Sequence, residues 1–324
     1  MMINRLCSVC VLALTALSGA VFAQSYPSKP IRLVVPFPGG SSGVDLTARL
    51  FAPKLGEIMG QPVYIENRGG ANGMIGSDNI AHSAADGYNL LYTTPSTHVT
   101  ATFISKNVPY DPVKDFTPIS AAVEPVSGIV VFPKLPITNV RELVSYAKAN
   151  PGKMTFTSSG IGSVFHLTGE LLNNAAGINI VHVPYKGTQQ ALTDNMTGEV
   201  SMTLSAISGP MPFVKAGKLR LIAILESRRY PGLPDMPIVG ESVPGFEKPA
   251  SWFGFFGPAN LPGPILSRLH SDIVKMLNAP DIRGKVDDAG IAIIGNSPAE
   301  FAALIKRGFE VYGKAFALSG IKPE

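Results

Sequence analysis

Apolar and polar positions along this 324-residue chain switch repeatedly between two periods. A short β-branched run at 31–35 has strand character, and further strands are read at 62–65 and 88–93. Between the first two, Val44, Ala48, Phe51 and Leu55 share one helical face, and a second helix is predicted over 72–83. This β-α-β-α-β order predicts a parallel sheet with helices on both faces. The rhythm breaks between Phe116 and Phe132, where strand-like runs at 118–123 and 128–132 follow one another without a helix, so a lobe boundary is expected there. A second series then repeats the plan with helix 140–149, strand 153–157, helix 164–176, strand 180–183, helix 188–196 and strand 200–204. In the first of these helices Val140, Leu143, Val144 and Ala147 form the apolar stripe, and Asn139 with Glu142 is spaced as a capping box.

The remainder reads as a strand at 219–225, a Pro-rich stretch at 231–249 without assignment, a strand at 251–257 and a helix at 262–278. That helix carries Ile265, Leu269, Ile273 and Met276 on one face. Pro298 opens a last helix whose stripe is Phe301, Ile305, Tyr312 and Phe316. The expected fold class is α/β, with two lobes that are each a mainly parallel sheet flanked by helices. The C-terminal segment returns to the first lobe, giving 24–123 with 225–324 as one lobe and 124–224 as the other. Two crossing segments would leave a cleft at the carboxyl ends of the strands.

Composition changes this picture mainly at the N-terminus. Asn4 and Arg5 precede an apolar run over 9–22 that ends in Val21-Phe22-Ala23, the pattern of a secretory leader cut after Ala23 (1–23). The run is too short to span a bilayer comfortably, so an exported, soluble protein is expected. Both cysteines, Cys7 and Cys10, fall inside the leader; disulfides, thiolate catalysis and cysteine metal sites are excluded from the mature chain. Cys10 lies at the start of the apolar run, which argues against lipidation. A hydrophobic fraction of 45% with 15% charged residues fits a well-packed globular protein. The net charge of +4 is small and dispersed, which argues against nucleic acid and suits an anionic ligand. No cofactor is implied, and a monomer is the default.

The candidate chemistry lies in two Gly/Ser-rich strand-to-helix turns. Pro38-Gly39-Gly40-Ser41-Ser42-Gly43 precedes the helix containing Asp45, and Ser158-Ser159-Gly160-Ile161-Gly162-Ser163 precedes the helix containing His166. Backbone N–H groups at the positive end of a helix dipole make such turns anion sites, and two of them facing each other would grip a carboxylate from both sides. Neither turn is a Walker sequence, since Lys is missing after the glycines, and Gly39 to Gly43 lacks the order of a dinucleotide fingerprint. Gly39 to Gly43 does match the Gly-x-Ser-x-Gly elbow of serine hydrolases, with Ser41 as nucleophile. Against that match, Pro36-Phe37-Pro38 separates strand from turn, and neither His182 nor His270 offers an evident partner. The five histidines show no metal-ligand spacing. Asp45 is either a helix N-terminal charge or, in a cleft, an acceptor for a ligand ammonium, hydroxyl or water. Further polar turns follow strands on the same predicted edge: Thr94, Ser96 and Thr97; Tyr185, Lys186 and Gly187; and Ser205. Lys186 is their one cation, as ligand contact or as solvated loop lysine. Trp252 with Phe253, Phe255 and Phe256 reads as a buried sheet or as a stacking platform.

Over its whole mature length the chain resembles the Bug family of periplasmic solute-binding proteins, the extracytoplasmic receptors of tripartite tricarboxylate transporters. The resemblance runs through YPSKPIRLVVPFPGG, ENRGGANGMIGSDNIAHSAADGYNLLY, PYDPVKDFTPIS, ANPGKMTFTSSGIGSVFHLTGELL, VPYKGTQQALTDNMTGEV and PGPILSRLHSDIVKML. It implies a type II periplasmic binding fold, a Venus flytrap that closes on a small carboxylated solute and presents it to a membrane permease. By this similarity the turn Phe37 to Ser42, with Gly40 and Ser41, would form one jaw and the turn Ser158 to Ser163, with Ser159 and Gly162, the other; His166 is kept as a candidate because it lies just inside the second turn's helix. Asp45 would meet an amino group or a water, and Thr94, Ser96, Thr97, Tyr185, Lys186, Gly187 and Ser205 would line the cleft. Family members place the acidic residue two positions after the Gly-Gly run with its third small residue. Here Asp45 comes one position later, an offset expected to rotate it relative to the usual site. The resemblance implies a receptor rather than an enzyme; a sensor feeding a signalling partner would use the same cleft.

Overall fold

The computed structural model describes residues 26–40, 43–158, 160–185 and 188–321. The expected leader and Ser41, Ser42, Ser159, Lys186 and Gly187 lie outside the described residues. The first stretch contains β1 (Ile31–Val35), α1 (Gly43–Met59), β2 (Val63–Asn67), α2 (Met74–Ala81), β3 (Asn89–Thr93), α3 (Ala101–Ile104) and β4 (Phe116–Pro125). It is followed by β5 (Ser127–Val131), α4 (Val140–Ala149), β6 (Thr155–Ser158), α5 (Val164–Ala176), β7 (Val181–Pro184), α6 (Thr188–Thr197), β8 (Met202–Ala206), α7 (Met211–Lys215) and β9 (Arg220–Ile224). The chain ends with β10 (Phe253–Pro258), α8 (Gly263–Leu277), α9 (Pro280–Asp288), β11 (Ile291–Ile293) and α10 (Pro298–Ser319).

Two sheets result, ordered β11-β4-β10-β3-β1-β2 and β7-β6-β8-β5-β9. Both are mixed, which corrects the mainly parallel expectation. β1 pairs parallel with β2 and β3, and β6 with β7 and β8, but β10, β11 and β5 make only antiparallel pairs. The connectivity explains this. β4 and β3 both run antiparallel to β10, so Pro125 lies at the same edge as the carboxyl ends of β1 and β3. One residue later β5 starts at Ser127, opposite Ala206 at the carboxyl end of β8. β9 likewise ends at that edge, and β10 re-enters the first sheet beside Thr93. A strand that enters a sheet from its carboxyl edge has to run against the strands that end there. The same connectivity makes the carboxyl edges of the two sheets face each other across both crossings. Glu124 and Pro125 pair with β11, so β4 runs past the division expected after Val123.

The stripes read from the sequence pack as expected. Val44, Ala48, Phe51 and Leu55 of α1 meet Leu269, Ile273 and Met276 of α8 over one face of the first sheet. Trp252, Phe256, Phe301 and Ile305 fill the other face, which makes the aromatic run core rather than platform. In the second lobe Val140, Leu143 and Leu172 pack on Ile129 and Phe156. Val99, Leu167, Leu171, Val311, Tyr312 and Phe316 form a cluster that joins α10 to α5. At the crossings, the buried Lys248 ammonium lies 3.0 Å from Glu124 Oε1 and 2.9 Å from Glu226 Oε2. Ser127 N donates to Glu226 and Ser251 N to Glu124, so the cluster ties both crossings together. Burial pushes the Glu226 carboxyl up to about 7 despite the Lys248 charge.

Three local readings change. Asn139 caps α4 by accepting from Glu142 N, but the Glu142 carboxylate turns back to Thr138 N and Oγ1, so the capping box is incomplete. The helix expected from 72 starts at Met74, because Gly70, Ala71, Asn72 and Gly73 all have positive φ. Helix α9 and strand β11 add two elements between the helix at 262–278 and the last helix, where the periodicity predicts none; Pro280 at the first turn of α9 is the sequence signal that marks it.

Candidate functional site

The carboxyl edge of the first sheet carries the turn after β1, with Asn67 ending β2 beside it and Thr94 following β3. Phe37 is half-buried and Gly40 exposed, at φ 83° with open space where a Cβ would stand. Asp45, in the first turn of α1, has no exposed surface. Its Oδ2 accepts from Gly40 N at 2.6 Å and from Arg49 Nε at 2.9 Å. Its Oδ1 accepts from Asn67 Nδ2 at 2.7 Å and Arg49 Nη2 at 3.3 Å. Asn67 also donates to Phe37 O at 3.0 Å and accepts from Arg49 Nη2 at 2.8 Å. Burial alone would raise the Asp45 carboxyl, but the hydrogen bonds from Arg49, Gly40 and Asn67 hold it below the usual carboxylate range. Of the two readings of Asp45, the geometry matches the internal one: its carboxylate binds the turn, its own helix and β2 together.

After β3, the hydroxyls of Thr94 and Ser96 lie 2.6 Å apart, both half-buried. Thr97 is fully buried, its hydroxyl engaged by Thr93, Thr94 O and His98 Nδ1. It supports this edge from inside and has no accessible surface. His98 stacks on Phe256 at 4.1 Å, and burial lowers its pKa to about 3, which keeps it neutral.

The second sheet presents the same construction with different chemistry. Ser163 caps α5 by accepting from His166 N at 3.3 Å, which leaves its hydroxyl hydrogen to donate elsewhere. His166 Nδ1 accepts from Gly162 N at 3.1 Å. The His166 and His182 rings stack with centroids 3.8 Å apart and planes 14° from parallel. His182 Nε2 lies 2.7 Å from Ser158 Oγ, which in turn donates to Gly160 O and accepts from Gly160 N. Burial lowers the pKa of His166, and burial with the neighbouring His166 lowers that of His182 to about 4. Tyr185 N donates to Ser158 O, and its phenol, pushed up to about 12 by burial and by Asp194, donates to Asp194 at 2.6 Å. Ser205 Oγ at the end of β8 is buried without a hydrogen-bond partner among the described residues.

Phe37, Gly40, Asp45, Thr94, Ser96 and Thr97 therefore gather at one edge, and Gly162, Ser163, His166, Tyr185 and Ser205 at the other. Sequence reasoning did not single out Arg49, Asn67 or Asp194; it named Ser158 as the start of the second turn and His182 as a strand histidine without an evident partner. Arg49 stands four residues after Asp45, a helical ion-pair spacing that was legible; the Ser158–His182 pair spans 24 residues and carries no local signal. Among the described residues no group of histidine, aspartate and glutamate has a metal-binding arrangement, and no helix is long and apolar enough to cross a membrane.

Residues 47–314 match the model of the tripartite tricarboxylate transporter family receptor. Protein BugT of Bordetella pertussis is 34% identical over 270 residues, covering 83% of this chain and 82% of its own. An R. palustris protein solved with adipate is 33% identical with a TM-score of 0.74, covering 92% of this chain and 100% of its own. MatC from Rhodopseudomonas palustris, solved with bound malate, is 29% identical with a TM-score of 0.68, covering 90% and 99%. Two mixed sheets whose carboxyl edges face each other, and a family match over most of the length, lead to one assignment: the chain belongs to the tripartite tricarboxylate transporter receptor family, whose members are periplasmic solute-binding proteins.

Proposed function

We propose that this protein is an exported receptor that holds a small carboxylate between its two glycine-bearing turns and delivers it to a tripartite membrane permease. The observation that carries the reading is topological: both crossings join carboxyl edges, which supports a cleft with the turns after β1 and β6 on its opposite walls. Malate and adipate, the acids held by two related structures, define the first ligand class to test. Recognition rests on backbone N–H groups and the hydroxyls of Thr94, Ser96 and Ser163, with Ser41, Ser42, Ser159, Lys186 and Gly187 as further contacts. Asp45 serves the turn rather than the ligand, so an ammonium group on the acid gains nothing from it. A ligand touching both walls stabilises the closed state over the open one.

Thermal unfolding against carboxylates, aromatic acids, amino acids and neutral sugars tests this. A ligand that binds only the folded protein adds about 2.7 kcal/mol at one hundred times its dissociation constant. A midpoint rise confined to carboxylates supports the reading, and a rise with neutral sugars alone refutes it. Delivery is tested separately, by loss of uptake of the identified acid when the permease subunits are deleted; unchanged uptake refutes that part.

A further inference from the structure

The turn after β6 contains two glycines with positive φ, Gly160 at 123° and Gly162 at 75°. Glycine is the residue least restrained by its own backbone, so this turn needs an outside restraint to keep one shape. The restraint is visible at both positions. Gly162 N donates to His166 Nδ1, and Gly160 is held through N and O by Ser158 Oγ, which is itself 2.7 Å from His182 Nε2. The two imidazoles lie face to face, so each fixes the plane of the other. Because Nδ1 of His166 accepts, its ring proton sits on Nε2, facing Glu170 Oε1 at 3.8 Å.

We propose that Ser158, His166 and His182 are positioning residues that set the second anion turn, and that protonation of the imidazole pair releases it. The proposal rests on the carboxylate-receptor reading above. A proton on His166 Nδ1 replaces an acceptor with a donor aimed at Gly162 N–H, which breaks that hydrogen bond. It also puts a charge against the face of the His182 ring. Among the described residues the groups facing the pair are few. From α5 there is Glu170, whose pKa is itself raised by burial; from β6 there are Ser158 and the uncharged Phe156 ring, 5.0 Å from His182. Burial depresses both histidines, so the network stays intact at neutral pH and yields in acid.

The experiment combines affinity with a ligand-free readout. Dissociation constants for malate and adipate are measured by calorimetry from about pH 8 to about pH 3.5 in the wild type, His166→Asn and His166→Leu, reaching below the value of about 4 to which His182 is depressed. The asparagine amide oxygen stands where Nδ1 stood and does not titrate. Protonation of the acid itself is common to all three proteins, so ratios between them isolate the histidine. At neutral pH His166→Leu is expected to lose roughly tenfold in affinity, the scale of one hydrogen bond, while His166→Asn stays near wild type. On acidification the wild type is expected to fall below His166→Asn. In parallel, the 15N-glycine resonance of Gly162 is expected to titrate with the imidazole signals in the wild type and to stay flat in His166→Asn. A wild type that binds acids while all variants keep its pH profile overturns this inference alone. A Gly162 amide that ignores imidazole titration also overturns it, whatever the ligand. A wild type that binds no carboxylate overturns the receptor reading and removes the functional half of the inference with it.

Discussion

The two glycine-bearing turns of this protein solve one problem with opposite chemistry. In each, the first turn of the following helix sends a side chain back to accept the N–H of a positive-φ glycine: Asp45 from Gly40, His166 from Gly162. In the first lobe the acceptor is a buried charge, balanced by the Arg49 guanidinium and shared with Asn67 on the next strand. In the second it is a neutral ring, backed by another neutral ring and a serine. Charge-assisted hydrogen bonds are about twice as strong as neutral ones, so the first turn is the rigid wall and the second the adjustable one. The Gly40, Gly160 and Gly162 N–H groups are spent on building the turns. In the proposed receptor, anion recognition would fall to the remaining N–H groups and hydroxyls that they orient.

The largest expected effect follows from removing the charged clasp. Asp45→Ala leaves the Gly40 N–H, the Asn67 amide and the Arg49 guanidinium without their common acceptor, in a position with no solvent access. Loss of hydrogen bonds to a charged group, tempered by the half-exposed Arg49, sets the cost at about 3 kcal/mol. Urea unfolding measures it, and a cost below about 0.5 kcal/mol, the level of an ordinary surface substitution, would remove the asymmetry between the turns. Because Asp45 is internal, affinity for amino acids and for plain acids should fall by the same factor. A selective loss for amino acids would restore Asp45 as a ligand contact.

Much of this architecture is written in local pattern, and its limits are physical. The helices over 140–149 and 164–176 and the core stripes follow from period and caps, since a helix face is set by residues three and four apart. Strand direction is not local: β10 has the same aromatic character whichever way it runs, and only the connection at the crossing turns it antiparallel. The candidate site divides the same way. Its glycines, Asp45, Ser163 and His166 stand out because they flank a helix start. Asn67 and His182 sit on neighbouring strands and reach the turns through sheet register, Asn67 opposite Val35 and His182 opposite Phe156, which no spacing rule encodes.

A smaller effect separates the turns by pH. The His182 pKa is depressed to about 4, so between the ordinary value and about 4 the unfolded chain binds more protons than the folded one. Its contribution is complete above the unfolded pKa of about 6.5 and declines as pH falls toward 4. Glu226, raised to about 7, acts with the opposite sign, since its folded form takes up protons first. The informative quantity is therefore the difference between wild type and His182→Phe. Half-burial discounts the full shift to about 2 kcal/mol, accumulated over that window. Asp45, with its pKa lowered, holds its contribution above the ordinary carboxylate range and loses it only in stronger acid. Equal pH slopes for wild type and His182→Phe would mean that the second turn is no more proton-sensitive than the first.

The smallest effect is also the sharpest probe of how firmly each turn is held. Among the described residues a Cβ at Gly40 meets nothing within 4 Å, and one at Gly162 meets only Ile321 Cδ1 at 3.8 Å, so neither alanine substitution clashes with them. What remains is the cost of a positive φ of 83° or 75°, about 1 kcal/mol for a non-glycine residue. That cost is paid only where the turn is kept in shape, because an unrestrained turn rotates to negative φ and escapes it. Gly40→Ala should therefore cost the full amount, held by the Asp45 carboxylate. Gly162→Ala should cost the same in the wild type but close to nothing in a His166→Leu background, where its N–H has no acceptor. A double-mutant cycle on unfolding free energy reads this coupling directly. Additive costs at Gly162 would show that the second turn keeps its shape without the imidazole, and the contrast between a charged clasp and a neutral one would lose its second half.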